Sequence, residues 1–145
     1  MNKKRVFLAI IPPPEIIDAI KQSIAPLQIL PVRFLAEEMW HVTLHFLGYT
    51  DEADIHELNA IARQCVENIP AFEIALSDLS WGPSDNTPRM IWLNLDVSKE
   101  YLDLVRCLRV KLKTAQKTGR LPQFVLKKEQ FGEKIHSHIT LARFK

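Results

Sequence analysis

Cysteine and glycine are scarce in this 145-residue chain, with 2 Cys and 4 Gly, and long apolar runs are missing. Two cysteines cannot make a disulfide framework or a Cys-rich zinc site. Cys65 and Cys107 both sit among residues of helical periodicity, so they are expected to be reduced core thiols, which suits a cytoplasmic protein. The apolar run nearest the start, Val6 to Ile11, is halted by Pro12-Pro13-Pro14. It is too short for a membrane span and stops too abruptly for a secretory segment. No Gly/Ser linker, low-complexity tract or charge block marks a boundary, so residues 1–145 are expected to form a single domain. A chain of this length can bury roughly two-thirds of its unfolded surface and needs no staple.

What is present is a polarised charge. The net charge of +2 combines a balance of −6 over residues 1–100 with one of +8 over residues 101–145. A basic C-terminal third suits an anionic partner such as a phosphate ester or nucleic acid; a solvated helix face with a lysine-rich loop is the bland alternative.

Apolar spacing sets out the elements. Arg5 to Ile11 reads as a strand, and the prolines after it suit a helix that starts near Glu15 and turns Ile16, Ile17, Ile20, Ile24 and Leu27 inward. Val32 to Leu35 reads as a short strand. From Trp40 the period becomes two, with Val42, Leu44 and Phe46 on one face and His41, Thr43 and His45 on the other. A helix with Ile55, Leu58, Ile61, Ala62, Cys65 and Ile69 inward follows, then alternation from Phe72 to Leu79, a loop over residues 81–88 and a strand from Met90 to Leu95. The third helix carries Tyr101, Leu104, Val105, Leu108, Leu112 and Ala115 inward, with Arg106, Arg109, Lys111 and Lys113 largely outside and Gly119 placed for its C-cap. After a less regular stretch, His136 to Phe144 reads as the last strand. This interleaving argues for α+β or α/β with a mixed or antiparallel sheet.

One four-residue pattern occurs twice: His41-Val42-Thr43-Leu44 and His138-Ile139-Thr140-Leu141. On a strand, residues i and i+2 project from one face about 6 to 7 Å apart. Each motif therefore offers an imidazole that titrates near neutral pH beside a hydroxyl donor. Two such strands facing a phosphodiester suit acid–base displacement at phosphorus: one neutral His takes a proton from the attacking oxygen, and the other, protonated, supplies one to the leaving oxygen. The threonines donate to the non-bridging oxygens. This chemistry needs neither a metal nor a covalent intermediate.

In these strings the chain resembles the 2H phosphoesterase superfamily and, within it, the RNA 2′,3′-cyclic phosphodiesterases, also called 2′-5′ RNA ligases. Arg5 to Ile10 is similar to the family's opening strand, His41 to Gly48 to its first motif, Arg89 to Leu93 to its middle strand, and His138 to Arg143 to its second motif. The resemblance implies a bilobal α+β fold, with two pseudo-symmetric antiparallel sheets flanked by helices around a central cleft. It further implies opening of RNA 2′,3′-cyclic phosphate ends to 2′-phosphates without a cofactor, with reversible 2′-5′ ligation beside it. By the same resemblance His41 is the general acid, His138 the base, Thr43 and Thr140 hold the phosphate, and Arg143 lies beside it. The partner is then RNA or an oligonucleotide, with no membrane and no obligatory protein partner.

The chain departs from the family pattern in three places. Ser137 stands where the family often has proline. Arg143 is an odd number of residues from His138, so only a bulge or the strand's end brings it to the motif face. Relatives usually continue into further strands beyond the point corresponding to Lys145. An exposed sheet edge near the second motif is therefore expected, a place for dimerisation.

Other residues have weaker claims. His45 and His136 share the motif faces and are expected to give hydrogen-bonding support or lie in solvent, and His56 is a surface residue. His41, His45, His136 and His138 could together form a zinc site, the basis of a metal-hydrolase alternative; a nucleotide-binding module with little turnover is the other. Trp81 is the tryptophan to test for base stacking. Lys127, Lys128 and Lys134 are candidates for steering phosphates.

Overall fold

The computed structural model describes residues 3–122 and 136–144. In chain order its elements are β1 (Lys3–Ile10), α1 (Pro14–Ile24), β2 (Val32–Phe34), β3 (Val42–Asp51), α2 (Ile55–Glu67), β4 (Ile74–Gly82), β5 (Met90–Val97), α3 (Lys99–Lys117) and β6 (His138–Phe144). The fold is α+β, with an open sheet whose assigned pairings around β6 are antiparallel. The periodic segments become the expected elements with shifted ends: β1 begins at Lys3, β5 runs on to Val97, β6 begins at His138, and β4 continues through Trp81 to Gly82, into the stretch expected to be loop. Lys127, Lys128 and Lys134 lie outside the described residues.

The chain divides into two compact units, each assembled from three segments. The first unit comprises Met1–Ala9, Thr43–Ile74 and Val97–Ile135. Here β1 is hydrogen-bonded to β3. The inward stripes of the two helices meet: Leu58 and Ile61 of α2 share a core with Leu112 and Ala115 of α3, Leu47 of β3, and Val6 and Leu8 of β1. Full burial of each large aliphatic contributes about 1.5 to 3 kcal/mol, which fixes the helix pair. α3 starts where the Ser98 hydroxyl accepts the Tyr101 N–H at 3.3 Å. It ends ahead of Gly119, whose φ of 73° is the left-handed turn that glycine tolerates.

Two expectations change in this unit. Cys65 and Cys107 are not reduced thiols. They face each other across α2 and α3 with Cα atoms 5.8 Å apart and are joined as a disulfide, because the same inward stripes that build the core bring the two positions opposite. The cysteines therefore do not mark a reducing compartment. His45 does not stay on a solvated polar face; it is buried. Burial and the Arg109 charge push its pKa down to about 4, so it is neutral. Of the four cations expected largely outside on α3, Arg106 and Lys113 are exposed, whereas Arg109 and Lys111 are half-buried.

The second unit comprises Ile10–Val42, Ala75–Asp96 and His136–Lys145. β6 is its central strand. On one side it pairs antiparallel with β5, which is followed by β4; on the other it pairs with β2 and, at Val42↔Ile139, with the first residue of β3. The strand of the second motif is thus paired on both sides, and the expected exposed edge does not fall on it. Ile139, Leu141 and Ala142 are buried on one face of β6, as are Ile91, Leu93 and Leu95 of β5. Among the described residues, no helix is long and apolar enough to cross a membrane.

The disulfide closes a loop with a sequence separation of 42. Constraining the unfolded chain over that length is worth at most about 4 kcal/mol. Reduction should therefore lower the urea midpoint clearly, and a Cys65→Ala/Cys107→Ala variant should not respond to reductant. An unsubstituted protein equally stable with and without reductant would contradict the bond's role.

Candidate functional site

The face of the second unit's sheet opposite its apolar side carries the candidate site. His138 pairs with Asn94, Thr140 with Trp92 and Arg143 with Met90, while Ala142 pairs with Ile91. One extra β6 residue, Leu141, is therefore accommodated between the Ile91 and Trp92 positions. This bulge puts Leu141 and Ala142 both on the buried side and returns Arg143 to the face of His138 and Thr140. The odd spacing noted in the sequence is resolved by that one residue. Across the other neighbour, antiparallel pairing of Val42 with Ile139 brings His41, one residue back, level with Thr140.

His41 is oriented by its own backbone. Its Nδ1 lies 2.7 Å from the Met39 carbonyl, and since a carbonyl only accepts, Nδ1 carries the hydrogen. Nε2 is then the acceptor nitrogen of the neutral ring. His138 is held differently: its ring lies on the Trp92 indole with centroids 3.9 Å apart and planes 17° from parallel. Burial, helped by the charges of His136 and His41, pushes its pKa down to about 4, with the His136 backbone pulling the other way. Among the described residues, the Thr140 and Thr43 hydroxyls have no protein hydrogen-bond partner. Thr43 is half-buried at the point where β3 enters the first unit.

Support for the stack comes from alternate residues of β4. Gly82 faces the Trp92 indole so closely that a Cβ there would overlap its ring. Glycine is required by this approach rather than by a turn. Asp78 and Ser80 reach Asn94: the Asn94 amide donates to Asp78 Oδ1 at 3.1 Å, and Asn94 Oδ1 accepts from the Ser80 hydroxyl at 3.4 Å. The same Oδ1 accepts from His136 Nε2 at 3.1 Å. His136 packs edge-on to Trp92 with centroids 5.1 Å apart, and lies 5.3 Å from the His138 ring. It is both exposed and hydrogen-bonded.

Trp81 does not join this face. It packs edge-on against Phe144 and lines an apolar groove with Leu27, Leu30 and Ile91. Trp92 is the tryptophan at the site, and recognising it requires the β5–β6 register, which no local pattern carries. Among the described residues, no three His, Cys, Asp or Glu side chains are grouped to hold a metal ion; His45, one of the four histidines considered for zinc, is buried in the first unit.

Side-chain NMR should find His138 titrating near pH 4, against about 6.5 for an unperturbed imidazole. Gly82→Ala, which displaces the indole, should move that value up toward the ordinary one. A His138 that titrates near 6.5 in the unsubstituted protein would contradict the buried stack.

Comparison with known proteins bears on the family and the fold. A family model described as LigT-like phosphoesterase matches residues 10–92, a stretch that includes the first motif. A Thermotoga maritima protein named RNA 2′,3′-cyclic phosphodiesterase is 28% identical over 112 residues, covering 77% of this chain and 54% of that protein. An Aeropyrum pernix protein of the same name is 29% identical over 119 residues, covering 80% and 59%. The chain thus spans about half the length of these relatives. Among solved structures, a Thermus thermophilus protein superposes with a TM-score of 0.77 at 23% identity, covering 98% of this chain and 75% of that one. E. coli LigT complexed with 3′-AMP gives 0.72 at 23% identity, covering 98% and 73%. These likenesses are of fold. Together with a family match over more than half of its length, they accompany a paired-motif sheet face, and the chain belongs to the LigT-like phosphoesterase family.

Proposed function

We propose that this protein hydrolyses RNA or oligonucleotide 2′,3′-cyclic phosphate ends to 2′-phosphates by two-histidine acid–base catalysis. The observation that carries the reading is the placement of His138, stacked on Trp92 and kept neutral by burial, beside His41 on a face with hydroxyl and guanidinium donors. Two relatives carry the name RNA 2′,3′-cyclic phosphodiesterase at modest identity, which supports the substrate class.

In this reading His138 Nε2 takes a proton from water, and the water oxygen forms a bond to phosphorus. The bond from phosphorus to the 3′ oxygen breaks, and His41, protonated, supplies its Nε2 proton to that oxygen. The 2′ ester remains. Thr43 and Thr140 donate to the non-bridging oxygens, and Arg143 offsets their charge. Protons and charge balance between the two imidazoles without a metal. With an RNA 5′-hydroxyl in place of water, the same steps give a 2′-5′ linkage, so ligation belongs to the proposal. So does a cytoplasmic location, which rests on the RNA substrate and not on the cysteines.

The test is turnover of a 2′,3′-cyclic nucleotide in EDTA. Hydrolysis to the 2′-phosphate is expected, with activity on the acid side persisting until pH approaches 4, where His138 gains its proton. His41→Ala and His138→Ala should each remove most turnover with the fold intact. Thr140→Ala should lose about 10- to 100-fold. Near-normal activity in either histidine variant would overturn the mechanism, and binding without turnover would make the protein a nucleotide-binding module. Activity restored only by added zinc would favour the metal reading.

A further inference from the structure

The bulge that returns Arg143 to the site face also brings it opposite a second arginine. β2 pairs with β6 in a register that sets Arg33 directly across from Arg143, with Val32 against Phe144 and Phe34 against Ala142. Residues directly opposite on paired strands point to the same side, so Arg33 stands on the face of His138, Thr140 and Arg143. Both arginines are exposed, and among the described residues no acidic side chain forms an ion pair with either. Like charges directly opposite destabilise a strand pair. Here they do so on a strand of only three residues, which has little else to offset the repulsion. An anion between the two guanidiniums removes the repulsion and replaces it with paired, charge-assisted hydrogen bonds.

Position decides which anion. Arg143 lies opposite Met90 and Thr140 opposite Trp92, so the arginine row is displaced from the threonine by one two-residue strand step, about 6 to 7 Å. That is of the order of the separation between consecutive phosphates along a nucleic-acid strand. We infer that Arg33 binds a second phosphate of the substrate, with Arg143 bridging it to the reacting one: it is the phosphate on the 5′ oxygen of the nucleotide whose 2′,3′-cyclic phosphate lies at His138 and Thr140. This rests on the proposed substrate reading and narrows it. The preferred ligand carries phosphate on both sides of its terminal ribose, as an oligonucleotide end does and a nucleoside cyclic monophosphate does not.

Binding tests this separately from turnover. Calorimetric titration with adenosine 2′-phosphate and adenosine 2′,5′-bisphosphate should show the bisphosphate binding about 10-fold more tightly or better, as expected for an added charge-assisted contact. In Arg33→Gln that advantage should shrink to about 2- to 3-fold. The ligand-free variant should melt at the same temperature as the unsubstituted protein or higher, because a like-charge pair is gone. Equal affinities for the two ligands in the unsubstituted protein would overturn the inference, as would an Arg33→Gln variant that keeps the full advantage or one that loses affinity for both ligands equally. Failure of the catalytic reading shows differently, as tight bisphosphate binding without hydrolysis of any cyclic phosphate.

Discussion

Everything at the candidate site depends on the register of β6. This strand lies between β5 on one side and β2 and the start of β3 on the other, and each pairing brings different residues to the candidate site. Pairing with β5 sets Thr140 against Trp92 and His138 against Asn94; pairing with β3 brings His41 level with Thr140; pairing with β2 adds Arg33. Without the bulge at Leu141, Arg143 would project into the apolar side and Ala142 out of it. A slip of one residue would do the same to every side chain of the strand, and the buried row Ile139, Leu141 and Ala142 opposes that slip.

The electrostatics follow from the same placement. His138 is neutral because burial, helped by the charges of the histidines beside it, makes a proton costly there, whereas His41 is tied through Nδ1 to a backbone carbonyl. Two like groups are thus given unlike environments, one buried and one fixed by a backbone hydrogen bond. The row from Asp78 through Asn94 to His136 fixes the edge of this arrangement, and Gly82 leaves the indole room to lie flat. None of these supporting residues carries the proposed chemistry; each restricts where a ring can go.

The sequence shows the parts and leaves their meeting to the fold. Period-two alternation marks β3 and helical spacing marks α2 and α3, because those patterns are local and burial enforces them. The paired His-x-Thr strings are legible for the same reason. Arg143 could be read only as conditional on a bulge, since a bulge exists relative to a partner strand. Trp92, Gly82 and Arg33 are far from both motifs in the chain and become site residues only through pairing. The Cys65–Cys107 bond escapes for a similar cause: each cysteine reads as one more apolar position on its own helix, and only the packing of α2 on α3 sets them face to face. Trp81 shows the converse, because its flanking glycine and proline suggest an accessible loop whereas the strand continues through it and turns it toward Phe144.

The central claim is that the motif face of β6 binds the substrate phosphate. A crystal structure with adenosine 2′-phosphate bound tests it most directly. The phosphate should lie on the face of His138, Thr140 and Arg143, with an oxygen within about 3 Å of a His138 ring nitrogen and of the Thr140 hydroxyl. A phosphate seated elsewhere, with neither His41 nor His138 in hydrogen-bond reach, would contradict the account.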